Sequence, residues 1–331
     1  MIAMRHSRPF FRAAVVAVLA LPTAAVRADP ITVRAVAVPL NPQDPAQRSV
    51  GRLRYRGGVH LTSDDPRFGG WSSLRLSPDG TRITAISDEG IWMTARLLHD
   101  RGGFLTGLDE AEVGALLGLD GKALEGKDSR DSESCALLPD GSFIVGFERE
   151  HRLWRYPAHD GKPDGIPTPV KSPPGLAEAP FNGGIESLLA LPKGRLFALT
   201  EYWIQNELDT GWIDGPDDWQ PIGYRFERAL RPSDACLLPG GDVVVLERAY
   251  NPDRGIVGVR LRQISKDALK PGASLGGRLI ADLLPPVTMD NFEGIDCRKG
   301  KHGTPVFYLI SDNNFSAEQR TLLLMFALAE P

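Results

Sequence analysis

One stretch, Phe181 to Glu201 (FNGGIESLLALPKGRLFALTE), recurs in altered form four more times along the chain, and that repetition sets the fold. Leu188 and Ala190, then Leu196 and Ala198, are apolar with period two, and Pro192-Lys193-Gly194 supplies a turn between them. The related copies are Trp71–Leu97, Glu133–Pro157, Ser233–Ile264 and Phe292–Phe315. Each opens on a strand with a small or acidic residue, turns at a Pro-x-Gly or its equivalent, and closes a second apolar strand on an acid. A third strand follows at Ile91-Trp92-Met93, Leu153-Trp154-Arg155, Tyr224-Arg225-Phe226 and Val257–Leu261. Repeats of roughly 50 to 60 residues are the spacing of propeller blades. A β-sandwich also has short, regularly spaced strands, but it has no reason to repeat acids in register. The expected fold is therefore an all-β propeller.

Ile31–Leu40, Arg52–Thr62 and Thr321–Leu328 are strands left over from the five copies. Propellers close by pairing terminal strands, which protects the sheet edges. Six blades closed by N- and C-terminal strands are the favoured expectation, with five as the alternative. Helical periodicity arises only at Leu108–Leu119, which reads as a short insertion.

The N-terminus reads as a leader. Arg5, Arg8 and Arg12 precede an apolar run from Ala13 to Leu21, and Val26-Arg27-Ala28 places small residues at the −3 and −1 sites. The run is too short to span a bilayer, and Pro9 stands where a twin-arginine signal needs its second arginine. Residues 1–28 are expected to be a Sec-type signal peptide cut after Ala28, leaving 29–331 as a single propeller domain in the periplasm or outside the cell. Removing four arginines with the leader takes the formal charge from −4 to −8. So acidic a chain, without a basic tract, is a poor match for nucleic acid or anionic lipid and a better one for a cation. A monomer without a membrane anchor, acting on a small molecule, is expected. Cys135, Cys236 and Cys297 each fall on the first strand of a repeat and read as small buried residues. A Cys135–Cys236 bridge is the alternative, and it leaves Cys297 unpaired.

The acids carry the chemistry. Glu133, Glu186, Asp234 and Glu293 open their repeats, with Ser72 and Ser73 in that place in the first copy. Asp88, Glu148, Glu201, Glu247 and Asp312 close them. If the first strands line a central channel, the opening acids ring one mouth of it and raise one another's pKa. Calcium relieves that repulsion and tolerates irregular shells of 6–8 oxygens. Asn182, Asn291 and Asn313 stand beside these acids as neutral oxygen donors. The competing reading is that each acid ties one blade to the next by accepting backbone N–H bonds. Arg149 and Arg248 follow two of the closing acids and offer bidentate donors to a phosphate or carboxylate, or else salt bridges between blades. The segment Tyr202–Trp219 reads as a long loop whose Trp203, Trp212 and Trp219 line a ligand or pack over a blade edge. No G-x-S-x-G elbow surrounds Ser72 or Ser73, and the histidines lack H-x-x-x-H spacing.

The GGWSSLRLSPDG opening, the F-E-R and V-L-E-R closes, N-x-G-I-E-S, and D-N-F-E-G-I followed by I-S-D-N-N-F resemble the phytase-like esterase family of exported bacterial propellers. The resemblance runs from about Tyr55 to Leu328. It implies a calcium-dependent phosphomonoester hydrolase, with Glu133, Glu186, Glu293, Asp312 and Asn313 at the family's acidic and amide positions. The expected site comprises calcium ligands Glu133, Glu186, Asp234, Glu293, Asp312 and Asn313, catalytic Glu148, Arg149 and Arg248, and substrate contacts Glu201, Trp203 and Glu247. A lactonase-type calcium propeller and a non-catalytic binding propeller are the competing functions.

Overall fold

The structure, a computed structural model, describes residues 28–215, 217–227, 229–251, 253–300 and 303–329. The expected signal peptide lies outside these residues, apart from Ala28. Among the described residues, no helix is long and apolar enough to cross a membrane.

Five blades form the protein, not six, antiparallel throughout except where Ser274–Leu275 edges the third blade in parallel. Their inner strands are Trp71–Leu76, Ser132–Leu137, Ile185–Ala190, Leu230–Leu237 and Asn291–Lys299, in blades 1 to 5. Each inner strand contacts the next, and the fifth returns to the first, so the ring is closed. The strands left over in the sequence complete existing blades. Leu53–Thr62 pairs with Thr321–Leu328 inside blade 5, and Arg34–Ala37 forms its outer edge. Asp29–Ile31 edges blade 1. Three unassigned strands thus stand for the outer half of blade 5 and a hem on blade 1.

Five apolar clusters fill the spaces between successive blades. Inner strands are consequently buried on both faces, which is why Trp71–Leu76 is buried throughout despite its mixed composition. The Pro-x-Gly turns share one geometry. Gly80, Gly141 and Gly241 lie at φ 66°, 87° and 95° and donate their N–H to the carbonyls of Ser77, Leu138 and Leu238. That left-handed position closes the turn and admits glycine without a Cβ clash.

Three local expectations are corrected. The helical pattern at Leu108–Leu119 belongs to a strand, Leu105–Ala115. Its pairing with Ile91–His99 slips around Glu110, whose φ is 46°. The irregularity breaks the two-residue alternation and leaves Leu108 and Ala111 buried three residues apart, a step that mimics a helix. Tyr202–Trp219 is not a long loop. Leu196–Gln205 turns at Asn206-Glu207, both at positive φ as a tight hairpin requires, into the strand Leu208–Ile213. Finally, the disulfide joins Cys236 to Cys297, with Cα atoms 5.8 Å apart, and so links the inner strands of blades 4 and 5. Cys135 is the free cysteine, and burial pushes its thiol up to about 11.

Candidate functional site

The register of the blades builds the site. Every inner strand has one bulge, at Ser72, Glu133, Glu186, Ser233 and Glu293 in turn. A bulge re-aims the extra residue out of the ladder, and repeating it around the ring sends one side chain per blade toward the channel. On the second strand of each blade, the equivalent position is Asp88, Glu148, Glu201, Arg248 and Asp312. Two layers therefore meet at one mouth. The first holds three glutamates and two serines, and the second holds four acids and one arginine.

Blade 4 is where the register departs from the sequence expectation. Pro232 pairs with Glu247 and Asp234 with Leu246, so Ser233 occupies the bulge and Arg248, not Glu247, takes the second-layer position. Glu148-Arg149 and Glu247-Arg248 look alike as dipeptides but are offset by one residue in space.

The mouth is crowded with carboxyls. Burial, and then the carboxylates of Asp131, Asp88, Glu148 and Glu293, hold Glu133 well above the usual range. Burial does the same for Glu186, reinforced by Glu133, Glu201 and Glu148. Burial pushes Glu148 up to about 7 and, with help from Glu293, Asp312 up to about 8. Glu148 accepts a hydrogen bond from the Gly184 N–H at 3.1 Å, which opposes the rise that burial causes. Arg248 answers part of this charge. It lies 3.4 Å from Glu201 and 3.2 Å from Glu293, and it donates to Asn291 Oδ1 at 3.1 Å. Asn291 in turn donates to Glu293 at 2.7 Å.

On the blade 1–2 side, one oxygen from each of Asp88, Asp131 and Glu133 lies within 4.8 Å of the others, an acidic triad able to hold a metal ion. Lys127 bridges Asp88 and Asp131, while Arg149 pairs with Asp131 at 2.5 Å and Asp128 at 3.1 Å. Among the described residues, Glu133, Glu148, Glu186 and Asp312 form no ion pair with lysine or arginine. Arg248 lowers Glu186 and Asp312 from beyond ion-pair distance, so these four carboxyls are the uncompensated part of the mouth in the sense that no cation is paired to them.

Other expected site residues lie elsewhere. Asp234 is fully buried, deeper in the channel, where Arg75 of blade 1 grips it through two hydrogen bonds of 2.8 and 2.9 Å. Backbone N–H groups of Ala235 and Ile295 complete its shell. Arg75 also donates to the carbonyls of Leu188 and Ile295, so one guanidinium ties blades 1, 3, 4 and 5 together. Glu247 is fully buried between Tyr224, at 3.0 Å, and Arg262, at 3.3 Å. Asn313 accepts from the Gly70 and Phe315 N–H groups, joining blade 5 to blade 1. The Trp203 ring lies 5.6 Å from that of Trp212, tilted by 52°, and Trp212 packs in the core between blades 2 and 3. These groups have their partners in the fold. The residues that sequence reasoning passed over are Asp131, Lys127 and Arg75. Of these only Arg75 left a signal, the one charge inside the otherwise uncharged WSSLRL of an inner strand.

Solved structures with partial likeness include the catalytic domain of an α-L-arabinofuranosidase from Coprinopsis cinerea (12% identity, 86% of this chain and 100% of that one, TM-score 0.46). Another is an endo-arabinase from Bacteroides thetaiotaomicron (8% identity, 78% and 94%, TM-score 0.45). A third is a protein of unknown function from the same organism (11% identity, 89% and 76%, TM-score 0.47). Likeness at that level carries no functional argument. No curated protein matches the chain. A family model does match, over residues 66–315, and the chain belongs to the family that it describes, phytase-like proteins with esterase-like activity of phytase.

Proposed function

We propose that the mouth binds a calcium ion and hydrolyses a small phosphomonoester. The observation that carries this reading is the set of uncompensated carboxyls, Glu133, Glu148, Glu186 and Asp312, held at register-equivalent positions with their pKa values pushed up. A hard divalent cation is the partner such oxygens suit, and calcium accepts their irregular arrangement. Glu133 and Glu186 would hold it, with Asp312 and Glu293 from blade 5, which leaves Glu148 beside the ion as a free carboxyl. Asp234 and Asn313 are excluded by the partners that they already have. When bound, calcium supplies charge to draw in the phosphate and to acidify a water.

The chain's own groups divide the remaining work. Glu148, near 7, is suited to accept a proton from water at neutral pH. Arg248 stands alone among the second-layer acids and offers the guanidinium for charge that develops on phosphate oxygens. Arg149 is anchored by Asp131 and Asp128 and lies 5.2 Å from the centre of the Phe181 ring, where it would meet the outer part of a substrate. The Cys236–Cys297 disulfide supports an oxidising, extracytoplasmic setting.

The test is hydrolysis of p-nitrophenyl phosphate by metal-stripped protein, with and without calcium, for the parent and Glu186→Gln. Calcium-dependent turnover that the variant lacks is the expected result. Calcium binding without turnover of any phosphomonoester overturns the reaction but not the ion. A second reading, lactone hydrolysis, is favoured by the single guanidinium of the second layer, since an uncharged ester needs fewer cationic donors than a phosphate. Turnover of a lactone and not of the phosphate selects it.

A further inference from the structure

The blade 1–2 side of the mouth already holds a cation, and that cation is part of the chain. Lys127 Nζ lies 2.6 Å from Asp88 Oδ2, 2.6 Å from Asp131 Oδ1 and 2.9 Å from the Asp88 carbonyl oxygen. Glu89 Oε1 stands farther out at 3.5 Å. The two Asp88 contacts are hydrogen bonds, and the Asp131 contact is an ion pair. Taken together, three carboxylates and a carbonyl around one nitrogen form the all-oxygen shell that a hard divalent ion takes. Glu133 completes the arrangement, because its oxygen lies within 4.8 Å of those of Asp88 and Asp131. It also belongs to the uncompensated group beyond, so Glu133 stands between two cation positions.

The segment that delivers the lysine is short. Lys127–Arg130 is a single helical turn entered through Gly126 at φ 79°. Arg130 pairs with Glu89, and Arg149 takes the Asp131 Oδ2 oxygen, leaving Oδ1 to Lys127. Neighbouring cations therefore hold the acids in place around the ammonium without occupying its position.

We propose that Lys127 is a tethered stand-in for a second divalent ion. The parent protein thereby takes its metal only on the Glu133–Glu148–Glu186 side, and the Asp88–Asp131–Glu133 side becomes a further metal position when the ammonium is removed. This rests on the cation-binding reading of the mouth and specifies how many ions that mouth accepts. Lys127 limits the site to fewer metal ions than its carboxylates could carry.

The test is calcium stoichiometry by titration calorimetry on metal-stripped full-length protein, comparing the parent with Lys127→Met and Lys127→Arg. Lys127→Met is expected to bind one more calcium per chain than the parent, and Lys127→Arg, which keeps the charge, to match the parent. Should Lys127→Met fail to fold without metal, Lys127→Gln retains amide donors for Asp88 and Asp131 and is expected to show the same extra ion. Equal counts in the parent and the folded neutral variant overturn the proposal, whatever the count. A parent that binds no calcium beside a variant that binds one removes the calcium reading of the parent and leaves the role of Lys127 standing.

Discussion

Two depths of one channel bury carboxylates in different ways. At the deeper level, Asp234 meets Arg75 and two backbone N–H groups, so that every oxygen has a partner. Burial pushes its pKa up to about 6, and Arg75 opposes that rise. At the mouth, Glu133, Glu148, Glu186 and Asp312 are pushed up by burial and by neighbouring carboxylates, with no lysine or arginine paired to them among the described residues. Burial alone does not mark a functional acid. The mark is charge that the fold gathers and then leaves unanswered, because gathering it costs stability that a bound ion can return.

The largest expected effect breaks the deep half of this contrast. Arg75→Met leaves Asp234 buried without its partner and is expected to cost about 3–5 kcal/mol in urea unfolding. The double variant Arg75→Met with Asp234→Leu is expected to recover most of that loss, since replacing a whole buried pair is often neutral. A single variant as stable as the parent would remove the plug from the account.

The next effect concerns Arg248, the one cation of the second layer. Arg248→Met removes the ion-pair partner of Glu201 and Glu293, with only Arg231 among the described residues left to act on Glu201. Hydrolysis is expected to fall by about 10²–10³-fold, as for the loss of a charge-stabilising donor. Melting without calcium is expected to drop further than melting with it. An equal drop in both conditions would make Arg248 a structural tie like Arg75.

A pH experiment sharpens the contrast without mutation. Glu148, at about 7, and Asp312, at about 8, have folded pKa values above their ordinary 4.5 and 3.8. The folded state therefore binds protons more tightly than the unfolded chain. The stability they contribute is full below about pH 4 and is lost as pH rises through 7 and 8. Metal-free protein should melt at progressively lower temperature from pH 5 to pH 8, and calcium should flatten that slope. A metal-free melting point that does not fall over this range would contradict the shifts.

The smallest effect belongs to Trp203. Trp203→Ala is expected to cost about 0.5–1.5 kcal/mol through the lost pairing with Trp212, with kcat/KM unchanged. A change in KM without a change in melting would return Trp203 to the substrate.

Much of the fold was legible because each blade repeats the same period-two strands and the same left-handed turn glycine. The blade number was not, because terminal strands that complete blade 5 look in sequence like parts of another blade. Seven of the ten positions in the two mouth layers, Asp88, Glu133, Glu148, Glu186, Glu201, Glu293 and Asp312, were legible as repeated acids, and Ser72 was read in the opening place of the first copy. The blade 4 positions were not assigned correctly, because the likeness of Glu148-Arg149 to Glu247-Arg248 hides a one-residue offset that only strand pairing reveals. Asp131 and Lys127 left no trace in the repeat. They lie at its margin and in the connection before it, and they reach the mouth only through the closure of blade 2 on blade 1.

The most direct measurement is the melting temperature of metal-stripped protein across a calcium titration at neutral pH, for the parent and Glu186→Gln. A ligand that binds only the folded state stabilises by about 2.7 kcal/mol at a hundred times its Kd. The account predicts a saturable rise in the parent that Glu186→Gln loses. A parent whose melting point ignores calcium would mean that the acids of the mouth, like Asp234 below them, serve the fold alone.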